Sequence, residues 1–352
     1  MNFSESILDW YDAQNEQFPW RNISNPYHTW VSEIMLQQTQ VKTVIPYFNR
    51  WIKKFPTIKS VAIASDEEIF KYWEGLGYYS RALNLRNACL ELTKLKSNLF
   101  NTSEKLIELK GIGEYTAAAI ASIAFNENIP AIDGNVKRIV SRLLCINHTN
   151  TNSMNKMKDF LKSCISYNRP GDFNQAMMDL GRKICVPRKP RCTSCPIQQK
   201  CKAFKNSKVE LFPMKNKIIK KIPHYNVAVG VIWKKGKILI TKRKKNQLLG
   251  GLWEFPGGKI QGNESSKECI AREIKEELGI DISVNEYMLT VKHQYSHFKI
   301  TLDAYMCNYV KGKIRCIEVD DYKWITPDQI SLYPFPKANH YIFPKILENG
   351  TT

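Results

Sequence analysis

The chain has 352 residues, enough for two ordinary domains, and carries 52 Lys plus Arg against 33 Asp plus Glu, a formal charge of +19. A surplus of that size favours a polyanionic partner, of which nucleic acid is the commonest. No apolar run approaches the roughly 20 residues that span a bilayer, and the start "MNFSESILDWYDAQ" is polar and amphipathic where a signal peptide would be basic and then apolar. A soluble, intracellular protein with no membrane partner is expected.

From Ser4 to about Phe204 apolar residues recur at spacings of three and four, as in Ile107, Ile120 and Ile123, and predict a helical region. Within it, "WVSEIMLQQTQV" (30–41) sets Glu33 among Val31, Ile34, Met35 and Leu36. A carboxyl against apolar walls has a raised pKa and is able to act as an acid, although the same pattern also suits an exposed helix residue. "LKGIGEYTAAAI" (109–120) places Gly111 and Gly113 between two helical segments. Glycines there permit a tight turn and leave amides open at the next helix start, where a phosphate can sit. Twenty residues past Gly113, "IDGNVKRIV" puts Asp133 at a helix start, the usual place of an N-cap.

The chain has ten cysteines, and in the reducing interior of a cell they are not expected to form a disulfide framework. Cys89, Cys145, Cys164, Cys269, Cys307 and Cys316 are scattered and are expected to pack as small hydrophobes. The other four, Cys185, Cys192, Cys195 and Cys201, lie in "CVPRKPRCTSCPIQQKC". Four thiolates in one short loop suit either zinc or an iron–sulfur cluster. Zinc sites usually pair two short knuckles, and only Cys192–Cys195 forms one, so the spacing leans towards [4Fe–4S]. Arg188, Lys189 and Arg191 suggest that the loop presents positive charge to phosphates.

Residues 205–223 are rich in Lys and predict a basic interdomain linker. Beyond Pro223 the period becomes that of strands. "NVAVGVIW" and "KILITKR" flank a turn at Lys234–Gly236, and "KITLDAYMC" alternates Ile300, Leu302, Ala304 and Met306 on one face. One helical segment, Glu264 to Leu278, carries Ile270, Ile274 and Leu278 on a stripe. The expected architecture is an all-α domain (1–204), a linker (205–223) and an α+β domain (224–352).

The hairpin glycines, Asp133 and the four-cysteine loop, in this order, resemble the helix-hairpin-helix DNA glycosylase superfamily that includes endonuclease III. The resemblance covers the whole helical half and implies a [4Fe–4S] cluster on the four cysteines. Bifunctional members carry a nucleophilic Lys where this chain has Tyr115, which favours simple hydrolytic base release. "WVSEIMLQQTQV" further resembles a signature of MutY-type adenine glycosylases, which remove adenine mispaired with 8-oxoguanine in double-stranded DNA.

By that resemblance Glu33 protonates adenine and later helps activate water, and Asp133 stabilises the sugar cation. Tyr115 supports the pair, and Asn135 assists. "PWR" (19–21) is similar to the adenine-pocket segment, implying Trp20 and Arg21, and Gln175 matches the position that reads the adenine edge. Gln38, and Tyr78 in "GLGYYSR", match the residues inserted on the 8-oxoguanine side. "HQYSHFKI" (293–300) resembles the 8-oxoguanine-reading loop, with Tyr295 replacing the usual Phe and Ser296 and His297 contacting the damaged base. A monomer in the bacterial cytoplasm, associated with the nucleoid, is implied.

Residues 258–280 have the form G-x5-E-x7-R-E-U-x-E-E-x-G-U, with U aliphatic, which is that of the Nudix box. The C-terminal domain of MutY-type enzymes has the Nudix fold with a box that is usually degenerate. Glu273, Glu276 and Glu277 would share one helix face, and weak binding of Mg²⁺ or Mn²⁺ there is expected with little hydrolysis. Two other readings stand beside the leading one. One is an endonuclease III-like pyrimidine glycosylase; the other is a Nudix pyrophosphohydrolase tethered to a DNA-binding module.

Overall fold

The computed structural model describes residues 2–23, 25–147, 150–214 and 222–349. Of the expected linker, residues 215–221 lie outside the described ones. The chain divides into two compact units, one formed by residues 1–63 and 84–218 and the other by 64–83 and 219–352.

Among the described residues twelve α-helices precede the strands: α1 (Phe3–Gln14), α2 (Pro26–Leu36), α3 (Val41–Lys54), α4 (Ile58–Ile63), α5 (Asp66–Trp73), α6 (Tyr79–Lys94), α7 (Ser103–Leu106), α8 (Glu114–Phe125), α9 (Gly134–Leu144), α10 (Thr151–Cys164), α11 (Pro170–Lys183) and α12 (Lys202–Lys205). Their starts follow local chemistry. The Asn25 side chain accepts the Tyr27 N–H at 3.0 Å ahead of Pro26, so α2 begins there. Asp133 Oδ1 accepts the Val136 N–H at 2.7 Å and opens α9.

Helix α8 is the axis of the first unit. Its run Thr116 to Ser122 is entirely buried, and its small side chains let α2 and α11 pack close on either side. A Cβ on Gly171 would stand 2.7 Å from Ile123 Cα. Ile107, expected on the apolar stripe, is instead 44 % exposed, because it falls in the turn after α7. Among the described residues no helix is long and apolar enough to cross a membrane.

Among the described residues the second unit is built on a mixed sheet of seven strands: β1 (His224–Lys234), β2 (Lys237–Arg243), β3 (Trp253–Glu254), β4 (Gly257–Lys259), β5 (Asp281–Gln294), β6 (Lys299–Lys311) and β7 (Val319–Ile325). The main order is β3-β2-β1-β6-β5, with β1 parallel to β6 and the other pairs antiparallel. Ala228 to Ile232 is a continuous buried run because this central strand is covered on both faces. Val229 and Val231 join Trp253, Phe255 and Phe335 on one side. Ala228 and Ile232 meet Ile270, Ile274 and Leu278 of α13 (Ser266–Leu278) on the other.

Helix α13 begins two residues later than the periodicity suggests, because Ser265 and Glu268 form a capping box that fixes its first turn. Cys89, Cys269 and Cys307 are buried as expected, but Cys145 and Cys164 are half-buried and Cys316 is exposed. The C-terminal helix α14 (Phe343–Asn349) places Ile346 in the first of the two sheet cores.

Residues 64–83 belong to this second unit through specific contacts. Glu67 pairs with Lys242 at 2.7 Å. Glu74 accepts the Phe335 N–H at 2.7 Å and pairs with His340 at 2.9 Å.

The turn between α7 and α8 has one strict requirement. Gly111 has φ +89°, and a Cβ there would lie 2.6 Å from Asn84 Cβ. Gly111→Ala should therefore cost about 1–3 kcal/mol of stability through strain and clash. Urea unfolding that leaves the midpoint unchanged would contradict that placement.

Candidate active site

A cavity of about 480 Å³ in the helical unit is lined by Trp20, Arg21, Glu33, Tyr115, Asp133, Asn135 and Gln175. The sequence singled out all seven, and they come from five separate stretches of chain. Glu33 is 6 % exposed on α2, between Val31, Ile34 and Met35, which are more deeply buried still. Tyr115, at the start of α8, donates its hydroxyl to Glu33 Oε2 at 2.7 Å.

Burial pushes the Glu33 carboxyl from its ordinary 4.5 up to about 7. The Tyr115 hydrogen bond pulls it down, and the charge of Asp133 pushes it up. The result is an acid that holds its proton near neutral pH. The Tyr115 hydroxyl is itself driven well above its usual range, chiefly by burial and then by Glu33. It therefore stays protonated and acts as a donor.

Asp133 is also raised, chiefly by burial, while the donors to its oxygens pull it part of the way back. Oδ1 takes the Val136 N–H and Oδ2 takes the Asn135 amide at 2.8 Å. Asn135 is oriented in turn by Arg138, whose Nη2 donates to Asn135 Oδ1 at 2.8 Å and whose Nε donates to the Cys185 carbonyl at 2.7 Å. The helix cap thus doubles as a carboxylate facing the cavity.

Several cavity residues were missed by sequence reasoning. Asp179 bonds Arg21 at 2.6 Å, and Phe18 stacks on Trp20 at 5.4 Å between centroids with 24° between planes. Asp179 stands four residues after Gln175, hence on the same face of α11, a signal available in "FNQAMMDLG". Phe18 carried no pattern of its own. Gln38 does not line the cavity. It is exposed in the turn after α2, with φ +57°.

The four loop cysteines line one small cavity together with Arg142, Ile184, Pro190 and Phe204. Arg142 is 2 % exposed and was not foreseen. Its guanidinium donates to Cys185 Sγ at 3.2 Å, to the Val186 carbonyl at 2.9 Å and to the Phe212 carbonyl at 2.9 Å. Burial, followed by the neighbouring thiols, raises Cys192, and burial raises Cys195 and Cys201. A converging set of thiols with a buried cation beside it fits a centre that takes thiolates. Among the described residues no three His, Cys, Asp or Glu side chains cluster tightly enough to hold a single metal ion.

In the sheet unit a second cavity, about 520 Å³, is lined by Tyr78, Ser296 and His297. The Tyr78 and His297 rings meet edge to face at 5.6 Å and 79°. Tyr295, which departs from the phenylalanine of the resembled loop, stacks on Phe298 at 4.7 Å and its hydroxyl accepts the Ala338 N–H at 3.3 Å. Its extra oxygen thus has a use, and the aromatic packing is retained.

Residues 31–163 match the family model described as HhH-GPD superfamily base excision DNA repair protein, and residues 228–345 match a NUDIX domain model. The adenine DNA glycosylase of Mus musculus is 32 % identical over 360 residues, covering 86 % of this chain and 70 % of its own length. That of Buchnera aphidicola subsp. Acyrthosiphon pisum is 36 % identical over 300 residues, covering 84 % of this chain and 83 % of its own length. The chain belongs to the adenine DNA glycosylase family. It is thereby a DNA N-glycosylase of base-excision repair. It spans 46 % of the length of the Arabidopsis thaliana relative, at 37 % identity. Among solved structures, a thermostable thymine-DNA glycosylase matches with a TM-score of 0.54 at 24 % identity, covering 58 % of this chain and 95 % of its own, which bears on the fold alone.

In this member of the family the Nudix box forms a cavity of about 410 Å³ that Glu273 and Glu277 line with Glu254, a residue not foreseen. Glu276 is not on it. Its side chain is 56 % exposed and pairs with Arg272, which also pairs with Glu264 at 2.6 Å and Glu273 at 2.9 Å. Arg243 pairs with Glu254 at 2.5 Å. Burial, and then the charges of Glu254 and Glu273, push Glu277 up to about 8. Arg272 thus compensates Glu264, Glu273 and Glu276, whereas the Oε2 of Glu277 is buried and has no hydrogen-bond partner among the described residues.

The position of Glu33 makes stability depend on pH. Between about pH 4.5 and 7 the unfolded chain releases this proton while the folded chain keeps it, so stability falls as pH rises through that window. Glu33→Gln removes the effect, and should be more stable than the parent at pH 8 by on the order of 3 kcal/mol, yet nearly equal to it at pH 4.5. Chemical denaturation at the two pH values checks this; an equal difference at both contradicts it.

Proposed function

We propose that this chain removes adenine standing opposite 8-oxoguanine or guanine in double-stranded DNA, by hydrolysis of the N-glycosidic bond without strand cleavage. One observation carries the reading: a buried, proton-holding Glu33 and a donor-bound Asp133 line the same cavity. Adenine is a poor leaving group until it is protonated, and its departure leaves a cationic sugar, so an acid and a separate carboxylate are what the reaction needs.

In the proposed sequence the Glu33 proton passes to N7 of the extruded adenine. The bond between the sugar C1′ and N9 then breaks, its electron pair leaving with the base. Asp133 stabilises the resulting cation, electrostatically or through a transient covalent bond. Water adds to C1′ and gives its proton to Glu33, which restores the acid. Tyr115 orients Glu33, and Asn135 orients Asp133. Trp20, Arg21 and Gln175 hold the adenine.

The partner base is assigned to Gln38, Tyr78, Ser296 and His297. By the resemblance, Gln38 and Tyr78 are each assigned to the side of the partner base, where the gap left by the extruded base must be filled. The turn at Gly111 and Gly113 offers the amides at the start of α8 to a phosphate. Cys185, Cys192, Cys195 and Cys201 would hold a [4Fe–4S] cluster that braces the basic loop. The working division is a catalytic region (1–204), a linker (205–223) and an 8-oxoguanine-recognition domain (224–352), acting as a monomer in the bacterial cytoplasm on nucleoid DNA. The Nudix-type cavity is assigned weak binding of Mg²⁺ or Mn²⁺ through Glu273 and Glu277, with Glu276 at its margin, and little hydrolysis of nucleotides.

The test is single-turnover excision from an A:8-oxoguanine duplex. Glu33→Gln should lose about 10²-fold or more in rate while keeping duplex affinity, in line with the worth of general acid catalysis. The parent enzyme should leave the abasic strand intact until alkali is added. A loss under about threefold, or borohydride trapping of a protein–DNA adduct at the rate of base loss, would overturn the assignment.

A further inference from the structure

The turn that carries Tyr78 is unusual in its backbone. Gly75, Gly77 and Tyr78 have φ of +100°, +72° and +49°. A bulky side chain in the left-handed region is strained and persists only where its surroundings hold it. What holds Tyr78 lies behind the cavity wall.

Arg81 stands three residues on, in the first turn of α6. Its guanidinium carbon is 5.4 Å from the centroid of the Trp73 ring and 5.4 Å from that of Tyr78. Its Nη2 donates to the carbonyls of Leu76 at 3.3 Å and Gly77 at 3.2 Å. Trp73, fully buried, adds a donor of its own from Nε1 to the same Gly77 carbonyl at 3.0 Å. The guanidinium thus grips both the left-handed backbone and the face of the Tyr78 ring. Burial lowers Arg81 to about 10, which leaves it cationic at neutral pH. Tyr78 and His297 line the cavity, whereas Arg81 does not.

We propose that Arg81 is a positioning residue for recognition of the base opposite the excised adenine. By fixing the Tyr78 backbone and ring beside His297, it sets the preference for 8-oxoguanine over guanine. This rests on the reading that the Tyr78–Ser296–His297 cavity receives the partner base. Lysine cannot replace it fully, because an ammonium lacks the planar fork that stacks on a ring and donates to two carbonyls.

The experiment compares A:8-oxoguanine with A:G duplexes, measuring affinity and saturated single-turnover rate in the full chain. It uses the parent, Arg81→Lys, Arg81→Gln, Tyr78→Ala and the double variant Tyr78→Ala/Arg81→Gln. Arg81→Gln should narrow the preference for 8-oxoguanine about tenfold, the scale of one aromatic–base stack, through affinity and not through the saturated rate. Arg81→Lys should fall between. In the Tyr78→Ala background the Arg81 change should add nothing, since Arg81 acts through that ring.

A parent that shows no preference would defeat the underlying reading of the cavity. A parent with the preference, and a folded Arg81→Gln that keeps it within about twofold, would overturn the positioning role alone. Additive losses in the double variant would do the same. Should Arg81→Gln not fold, Arg81→Lys decides on the same ratio: an unchanged preference overturns the role.

Discussion

Sealing a carboxyl among apolar side chains is costly when it is ionised, and the helical unit is organised around that cost. Glu33 lies on α2, which packs against α8, and it accepts a hydrogen bond from the Tyr115 hydroxyl. A cation bonded directly to it would have lowered its pKa and removed its value as an acid. The nearby Arg21 is engaged by Asp179, and Arg138 is engaged by Asn135 and two carbonyls. The arginines are thus spent on other partners, and the proton stays on Glu33.

Asp133 meets the opposite need with an ordinary device. An N-cap side chain accepts backbone N–H groups that would otherwise be unpaired, and those same donors favour its ionised form. Burial raises both carboxyls of the cavity, but Glu33 has one hydroxyl donor to oppose it, whereas Asp133 has the Val136 N–H and the Asn135 amide. In the sheet unit, by contrast, Arg272 pairs with Glu264 and Glu273 of the Nudix-type box and Arg243 pairs with Glu254, while Tyr78 and Ser296 line a different cavity.

Much of this was legible in the sequence because it depends on short-range patterns. An acid inside an apolar helical run, an Asp before a helix and four closely spaced cysteines each carry their own chemistry. Seven of the residues that line the first cavity were found in that way or through resemblance. Long-range partners were not legible. Arg142 interrupts an apolar stripe of α9 like any surface arginine, and only the folded chain brings the cysteine loop to it. The helical period of residues 64–83 indicates helix but says nothing of which core receives it. Glutamates spaced at i, i+3 and i+4 look equivalent on a helix wheel. Glu276 is instead exposed and pairs with Arg272, and Glu254 enters from β3, just ahead of the box.

The central claim is that a buried Glu33, neutral because it is buried, delivers the proton that releases the base. The most direct test is the pH dependence of the saturated single-turnover excision rate, measured with A:8-oxoguanine duplex from pH 5.5 to 9. The account predicts a rate that is highest on the acid side and falls tenfold per pH unit above about 7, where Glu33 loses its proton. A rate that stays level across this range, or that rises with pH, would contradict it.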